Sequence, residues 1–162
     1  PILLETGMVS DASMFICPES ADDARRVYTF DRVRAAESDL RMLQSMLSSV
    51  GGSYGYSLGF RENGAYRAPR RDRVSGKIML VDRPARPSEG DVGHSNSPNH
   101  GGRGQNVLCP DGSVRFLAHP YECPGCDNLF LNQLNRVEPG CNHDDSVLGP
   151  SDARLGGEGE EY

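Results

Sequence analysis

Apolar residues take up a helical rhythm once along this chain. Between positions 31 and 50, in DRVRAAESDLRMLQSMLSSV, Val33, Ala36, Leu40, Leu43, Leu47 and Val50 recur at alternating steps of three and four. That stripe predicts one amphipathic helix, with Asp31 placed to cap its start and Gly51–Gly52 to end it. The seam runs for fewer than three heptads, so it suits packing on the chain's own sheet better than a coiled coil. Elsewhere the rhythm is strand-like or broken. SYGYSLGF at 53–60 alternates aromatic or apolar residues with small ones. KIMLVD at 77–82 is an apolar run ended by Arg83-Pro84, and MFICP at 14–18 reads as a brief strand stopped by proline. DNLFLNQL at 127–134 suits a strand or a short helix, and 84–104 is a loop rich in Pro, Gly, Ser and Asn.

The densest local signal is NHGGRGQNVLCPDGSVRFL at 99–117. Two β-rich arms flank Pro-Asp-Gly, which predicts a hairpin with Asp111-Gly112 at its turn, Gly112 at positive φ, and Val107 and Val114 buried. The Asp111 carboxylate suits backbone N–H groups of the turn. Gly101, Gly102 and Gly104 precede a strand, whereas phosphate-binding glycines follow a strand and open a helix, so a phosphate cradle is not supported. His100 has no acid or nucleophile at a recognisable spacing and reads as a hydrogen-bonded structural residue.

Composition narrows the class. At 162 residues the chain is sized for one domain, or one domain with an elaborated tail. With 36% hydrophobic residues, 19 glycines and 11 prolines, a compact core inside a loop-rich chain is expected. The net charge of −6, with three glutamates in residues 157–162, argues against nucleic acid as a partner. RAPRRDR at 67–73 reads as a solvated basic loop, with an anionic partner as the alternative. No apolar run is long enough to span a membrane and no signal peptide is recognisable. The sequence opens on PILLETGMVS as if from the interior of a longer polypeptide, and its Ile2, Leu3, Leu4 and Met8 are expected to be buried.

Five cysteines, at 17, 109, 123, 126 and 141, leave at least one unpaired and favour an oxidising compartment. CPGC at 123–126 and CNH at 141–143 place Cys123, Cys126, Cys141 and His143 as four ligands of the right type for tetrahedral zinc. Disulfides among Cys123, Cys126 and Cys141 and a redox-active Cys-x-x-Cys pair are the competing readings. A redox pair follows a strand and opens a helix, whereas this one lies in a loop. Asp127 after the second cysteine excludes c-type haem attachment.

The block NSPNHGGRGQNVLCPDGSVRFL, 96–117, resembles the carboxy-terminal His-x(9)-Asp-Gly signature of a large planctomycete family of type IV prepilin-like, pseudopilin-related proteins, similar to the major pseudopilins of type II secretion. Its positions are His100, Asp111 and Gly112. LLETGMVSDASMFICPES resembles the family's segment ending in Phe-x-Cys-Pro-Ser, and SYGYSLG, IMLVDRPA and CDNLF follow in the family's order. The spacer from His100 to Asp111 holds ten residues, one more than usual, and the family's peptidase site and long apolar helix have no counterpart in this sequence.

The resemblance implies an α+β, pilin-like fold: a small antiparallel sheet with the 107–117 hairpin at its centre and the 31–50 helix on one face. The globular domain would cover 1–135, followed by a loop-rich acidic tail at 136–162. The implied role is a structural, non-catalytic subunit of an extracytoplasmic filament or secretion apparatus, at the cell surface, in the periplasm or in an extracellular filament. Its partners would be copies of itself and other pilin-like subunits, with membrane contact only through a helix outside this sequence. No cofactor is required by that role. Related major pseudopilins often hold calcium, and Asp127, Asn128, Asp144 and Asp145 are candidate oxygen ligands, without EF-hand spacing. The rival readings are a zinc-binding interaction module built on Cys123, Cys126, Cys141 and His143 and, third, a thiol oxidoreductase.

Overall fold

The computed structural model describes residues 6–21, 30–50, 52–69, 78–85, 91, 93–121, 127–150 and 153. They form a mixed α/β structure around a five-stranded antiparallel sheet. In chain order the strands are β1 (Tyr54–Ser57), β2 (Phe60–Glu62), β3 (Ala65–Arg67), β4 (Leu80–Asp82), β5 (Gln105–Leu108), β6 (Val114–Leu117) and β7 (Leu148–Gly149). The main sheet runs β6-β5-β4-β1-β7, and β2 and β3 form a separate two-stranded ribbon. Asn63 and Gly64, both at positive φ, make the ribbon's turn.

Register decides which side chains share a face. Val81 lies opposite both Gly55 and Val107, so these three stand on one face. Val81 and Val107 pack there with Ile78, Leu129, Phe130 and Leu148 as the hydrophobic core, and Leu117 lies against it. The opposite face carries two rows. One is Tyr54, Asp82, Asn106 and Phe116; the other is Tyr56, Leu80, Leu108 and Val114.

The 105–117 hairpin forms as expected, with Gly112 at φ 85° and Ser113 N donating to Asp111 Oδ1 at 2.9 Å. It sits at one edge of the sheet, with β4 at the centre. Register explains why Val107 is buried while Val114 is 65% exposed, against expectation: Val107 stands on the core face, and Val114, opposite Leu108, stands on the other.

Other elements also depart from expectation. The 31–50 stripe is two helices, α1 (Phe30–Ala35) and α2 (Leu40–Val50). Asp39 ends the continuity: its Oδ1 accepts Met42 N at 3.0 Å and so caps the second helix. Ala36 and Met46 are buried, but Leu40 is 72% exposed, so the stripe is not one continuous seam. Within MFICP, Met14 and Phe15 close a short 3-10 helix, Ala12–Phe15, capped by Asp11, and Ile16–Pro18 follow it outside any strand. Met8 is exposed, and Ile2, Leu3 and Leu4 lie outside the described residues.

Residues 127–134 form neither strand nor helix, although Leu129, Phe130 and Leu131 are buried. Side-chain amides and carboxylates hold the backbone there: Asn132 Oδ1 accepts Leu134 N and Arg136 N, and Asp145 Oδ2 accepts Gln133 N and Cys141 N. Beyond residue 135, Val147 and Leu148 are fully buried and β7 pairs with β1, completing the sheet's second edge.

Gly112 has open space where a Cβ would stand, so its substitution isolates the cost of a left-handed backbone. Gly112→Ala is expected to destabilise by about 1–2 kcal/mol in urea unfolding. Asp111 is held below the usual carboxylate range by the Ser113 hydroxyl and then by Ser113 N–H. Its support of the turn is complete above the ordinary carboxylate range and lost as pH falls through the lowered value.

Candidate functional site

The polar row of the sheet is where chemistry-bearing side chains meet. Asp82 ends β4 and is 1% exposed; its Oδ2 accepts Asn106 N at 2.6 Å and Asn106 Nδ2 at 3.2 Å. Its Oδ1 accepts Asn99 Nδ2 at 3.2 Å, and the same Asn99 amide donates to Ser53 O at 2.9 Å. Asn99 and His100 belong to a short 3-10 segment, Asn99–Gly102, in which His100 takes a left-handed conformation at φ 55°. A non-glycine residue pays about 1–3 kcal/mol for such a backbone, which persists only where its surroundings over-determine it.

That conformation delivers the His100 ring onto Asp82, with Nε2 3.2 Å from Asp82 Oδ2. Asn106 Nδ2 is 2.8 Å from the same Nε2, and Cys17 Sγ is 3.5 Å from it. The far side of the ring is also engaged. Nδ1 lies 3.2 Å from Glu19 Oε2, and Arg103 reaches Glu19 at 3.5 Å. Phe116 stands edge-on to the imidazole with centroids 6.3 Å apart.

Cys17 reaches this point because its segment is fastened to the start of β1. Ser53 N donates to Phe15 O at 2.9 Å, and Ser20 Oγ is 2.8 Å from Ser53 Oγ. Gly52, at φ 65°, passes so close to the Phe15 carbonyl that no side chain fits between them. Cys17 is 3% exposed. Burial, followed by the charges of Asp82 and Glu19, pushes its thiol pKa up, against backbone N–H groups of Glu19 and Ser20 that lower it. Tyr54, in the same row, is raised chiefly by burial and then by Cys17 and Asp82.

Two chemistries use such a set. A Cys17–His100–Glu19 relay has the connectivity of a nucleophile, a base and an orienting carboxylate. A working nucleophile, however, is an exposed, stabilised thiolate, and Cys17 is a buried thiol biased toward its neutral form. Cation binding uses the same atoms differently: one ligand atom each from Cys17, Asp82 and His100 lies within 4.8 Å of the others. Among the described residues this is where three or more His, Cys, Asp or Glu side chains converge.

The sequence-based candidates are placed otherwise. Asp111 and Gly112 build the turn, while His100, expected to be a structural residue, stands at the centre of the cluster. Cys141 is a free thiol, as are Cys17 and Cys109; Cys123 and Cys126 lie outside the described residues, so the zinc and disulfide readings there fall outside them too. His143 pairs with exposed Asp144 and stands edge-on to Phe60. Of the calcium candidates, Asp127 accepts Ser146 N and Asn128 Oδ1 accepts Phe130 N, so both serve the backbone, as Asp145 does. Sequence reasoning missed Asp82, Asn99, Asn106 and Glu19. Their partners lie up to 81 residues away, as between Glu19 and His100, and no local spacing marks them.

Comparison of the chain with protein-family models, with curated proteins and with solved structures finds no match in any of the three.

Removing the Asp82 carboxylate strands Asn99 Nδ2 and the Asn106 backbone N–H in a buried place. Asp82→Ala is therefore expected to lower stability by about 3–5 kcal/mol in chemical denaturation, with Asp82→Asn costing less. Mass-spectrometric alkylation of the folded, reduced chain should find Cys17 labelled at least about tenfold more slowly than a free thiol, with its pH profile displaced to the alkaline side.

Proposed function

We propose that this chain is a structural, pilin-like subunit of an extracytoplasmic filament or secretion apparatus, assembling with copies of itself and turning over no substrate. The observation that carries this reading is the sheet edge that β6 forms among the described residues. On β6, Val114 is 65% and Phe116 53% exposed, and both point to the same side. Register extends that apolar surface inward through half-buried Leu108 and Leu80. A strand edge with an apolar face is a template for another chain, and monomeric proteins ordinarily blunt it with charge, proline or a covering segment.

The roles of the signature residues support the same reading. Asp111 and Gly112 make a turn, and His100 is drawn into a network that joins segments of one domain. These are architectural tasks. The resemblance over 96–117 supports the pilin-like reading, and an antiparallel sheet with the 105–117 hairpin at one edge is compatible with it. Among the described residues no helix is long and apolar enough to cross a membrane. In this reading subunits meet head to tail, because the β6 edge and the short β7 edge, with its buried Leu148, are different surfaces.

The test is the assembly state of the protein as its own cells produce it, by electron microscopy, together with sedimentation of the purified chain. Polymers or concentration-dependent oligomers are expected, and Val114→Glu should shift them toward monomer while changing stability by no more than about 0.5 kcal/mol. A protein that stays monomeric at every concentration and forms no polymer in cells overturns the reading.

A further inference from the structure

We propose that Cys17 Sγ, Asp82 Oδ2 and His100 Nε2 bind a divalent cation of the zinc class, with Asn106 filling the fourth position through its amide oxygen. The proposed ligands share no residue with the Cys123, Cys126, Cys141 and His143 set, and the proposal does not depend on the assembly role.

Geometry is the first support. Tetrahedral zinc bonds of about 2.3 Å to sulfur and about 2.0–2.1 Å to nitrogen and oxygen set ligand–ligand edges of about 3.6 Å for S···N and about 3.3 Å for N···O. The chain holds Cys17 Sγ 3.5 Å and Asp82 Oδ2 3.2 Å from His100 Nε2. Two edges therefore match those of a coordination tetrahedron, and the third lies within 4.8 Å.

The second support is a conflict that a cation removes. His100 Nε2 faces a carboxylate oxygen at 3.2 Å and an amide nitrogen at 2.8 Å. A proton on Nε2 suits Asp82 but sets two donors against each other at Asn106. A bare Nε2 suits Asn106 but turns its lone pair on the Asp82 carboxylate. With a cation present, bare Nε2, Asp82 Oδ2 and thiolate all become ligands. Rotation of the Asn106 amide by half a turn then presents Oδ1 where Nδ2 stands.

Charge and orientation agree. One thiolate and one carboxylate balance a divalent ion, so this buried site becomes neutral, and the thiol proton leaves to solvent on binding. Glu19, at 3.2 Å from His100 Nδ1, fixes the tautomer that leaves Nε2 free. Asn99 holds the other Asp82 oxygen. Such outer partners orient metal ligands.

The full 162-residue chain, reduced and stripped with a chelator, is titrated with Co²⁺ and then Zn²⁺. One equivalent of cobalt is expected to give tetrahedral visible bands and a near-ultraviolet sulfur-to-cobalt band, both removed by zinc. Cys17→Ser should abolish the sulfur band, and the double variant Cys123→Ser/Cys126→Ser should keep it. Glu19→Gln should keep it while weakening affinity about 10–100-fold. In the unaltered chain, zinc should slow Cys17 alkylation at least tenfold and leave Cys109 unchanged, a readout independent of how the variants fold. A sulfur band that is absent from the unaltered chain, survives Cys17→Ser, or vanishes in the double variant overturns the proposal. So does Cys17 labelling that zinc leaves unaltered.

Discussion

A carboxylate out of water dictates much of this structure. Asp82 is 1% exposed at the end of the central strand, and a buried charge is tolerated only where partners surround it. Its neighbours come from β5 through Asn106, from the segment before β5 through Asn99 and His100, and indirectly from the amino-terminal part through Cys17 and Glu19. Asn99 is therefore held against the sheet and His100 is presented in a left-handed turn, because the alternative is an unpaired charge in the interior. The strain at His100 and the burial of Asp82 are two sides of one constraint.

What was legible in the sequence follows from how local the physics is. The 105–117 hairpin was readable because Pro-Asp-Gly chemistry is settled within a few residues. Whether Val114 would be buried was not, since register puts it on the face opposite Val107, and the hairpin sequence does not say which face the rest of the chain covers. The break in the 31–50 stripe was present as Ser38-Asp39, a capping signal inside an otherwise regular pattern, and the periodicity masked it. Asn63-Gly64 likewise carried a hairpin signal, in a stretch too polar to read as a pair of strands. At 127–134 apolar content announced burial correctly, but Asn132 and Asp145 take over the backbone bonds that a regular element would have made.

The site itself was only half visible. Each sequence fragment was distinctive alone: Phe-x-Cys-Pro around Cys17, a Val-Asp pair ending a strand, and an Asn-His-Gly-Gly turn. Their convergence was not, because 83 residues separate Cys17 from His100 and their meeting is made by backbone bonds between Phe15 and Ser53. The segments around Cys17 and His100 are thus neighbours in space, separate in the chain and joined by one imidazole.

The face that carries this cluster also carries the surface proposed for assembly, and register explains why. Residues two apart on a strand share a face, so the polar row of Tyr54, Asp82, Asn106 and Phe116 must run beside the row of Tyr56, Leu80, Leu108 and Val114. The first row is overlaid by the Cys17 and His100 segments, and the second remains partly open. Phe116 belongs to both environments: it is half exposed at the edge, yet its ring meets the His100 imidazole. A ring so placed is held on one side by the interior network and offered on the other to a neighbour. The order imposed by one buried carboxylate thus extends to the rim of the sheet, where a second subunit would make contact.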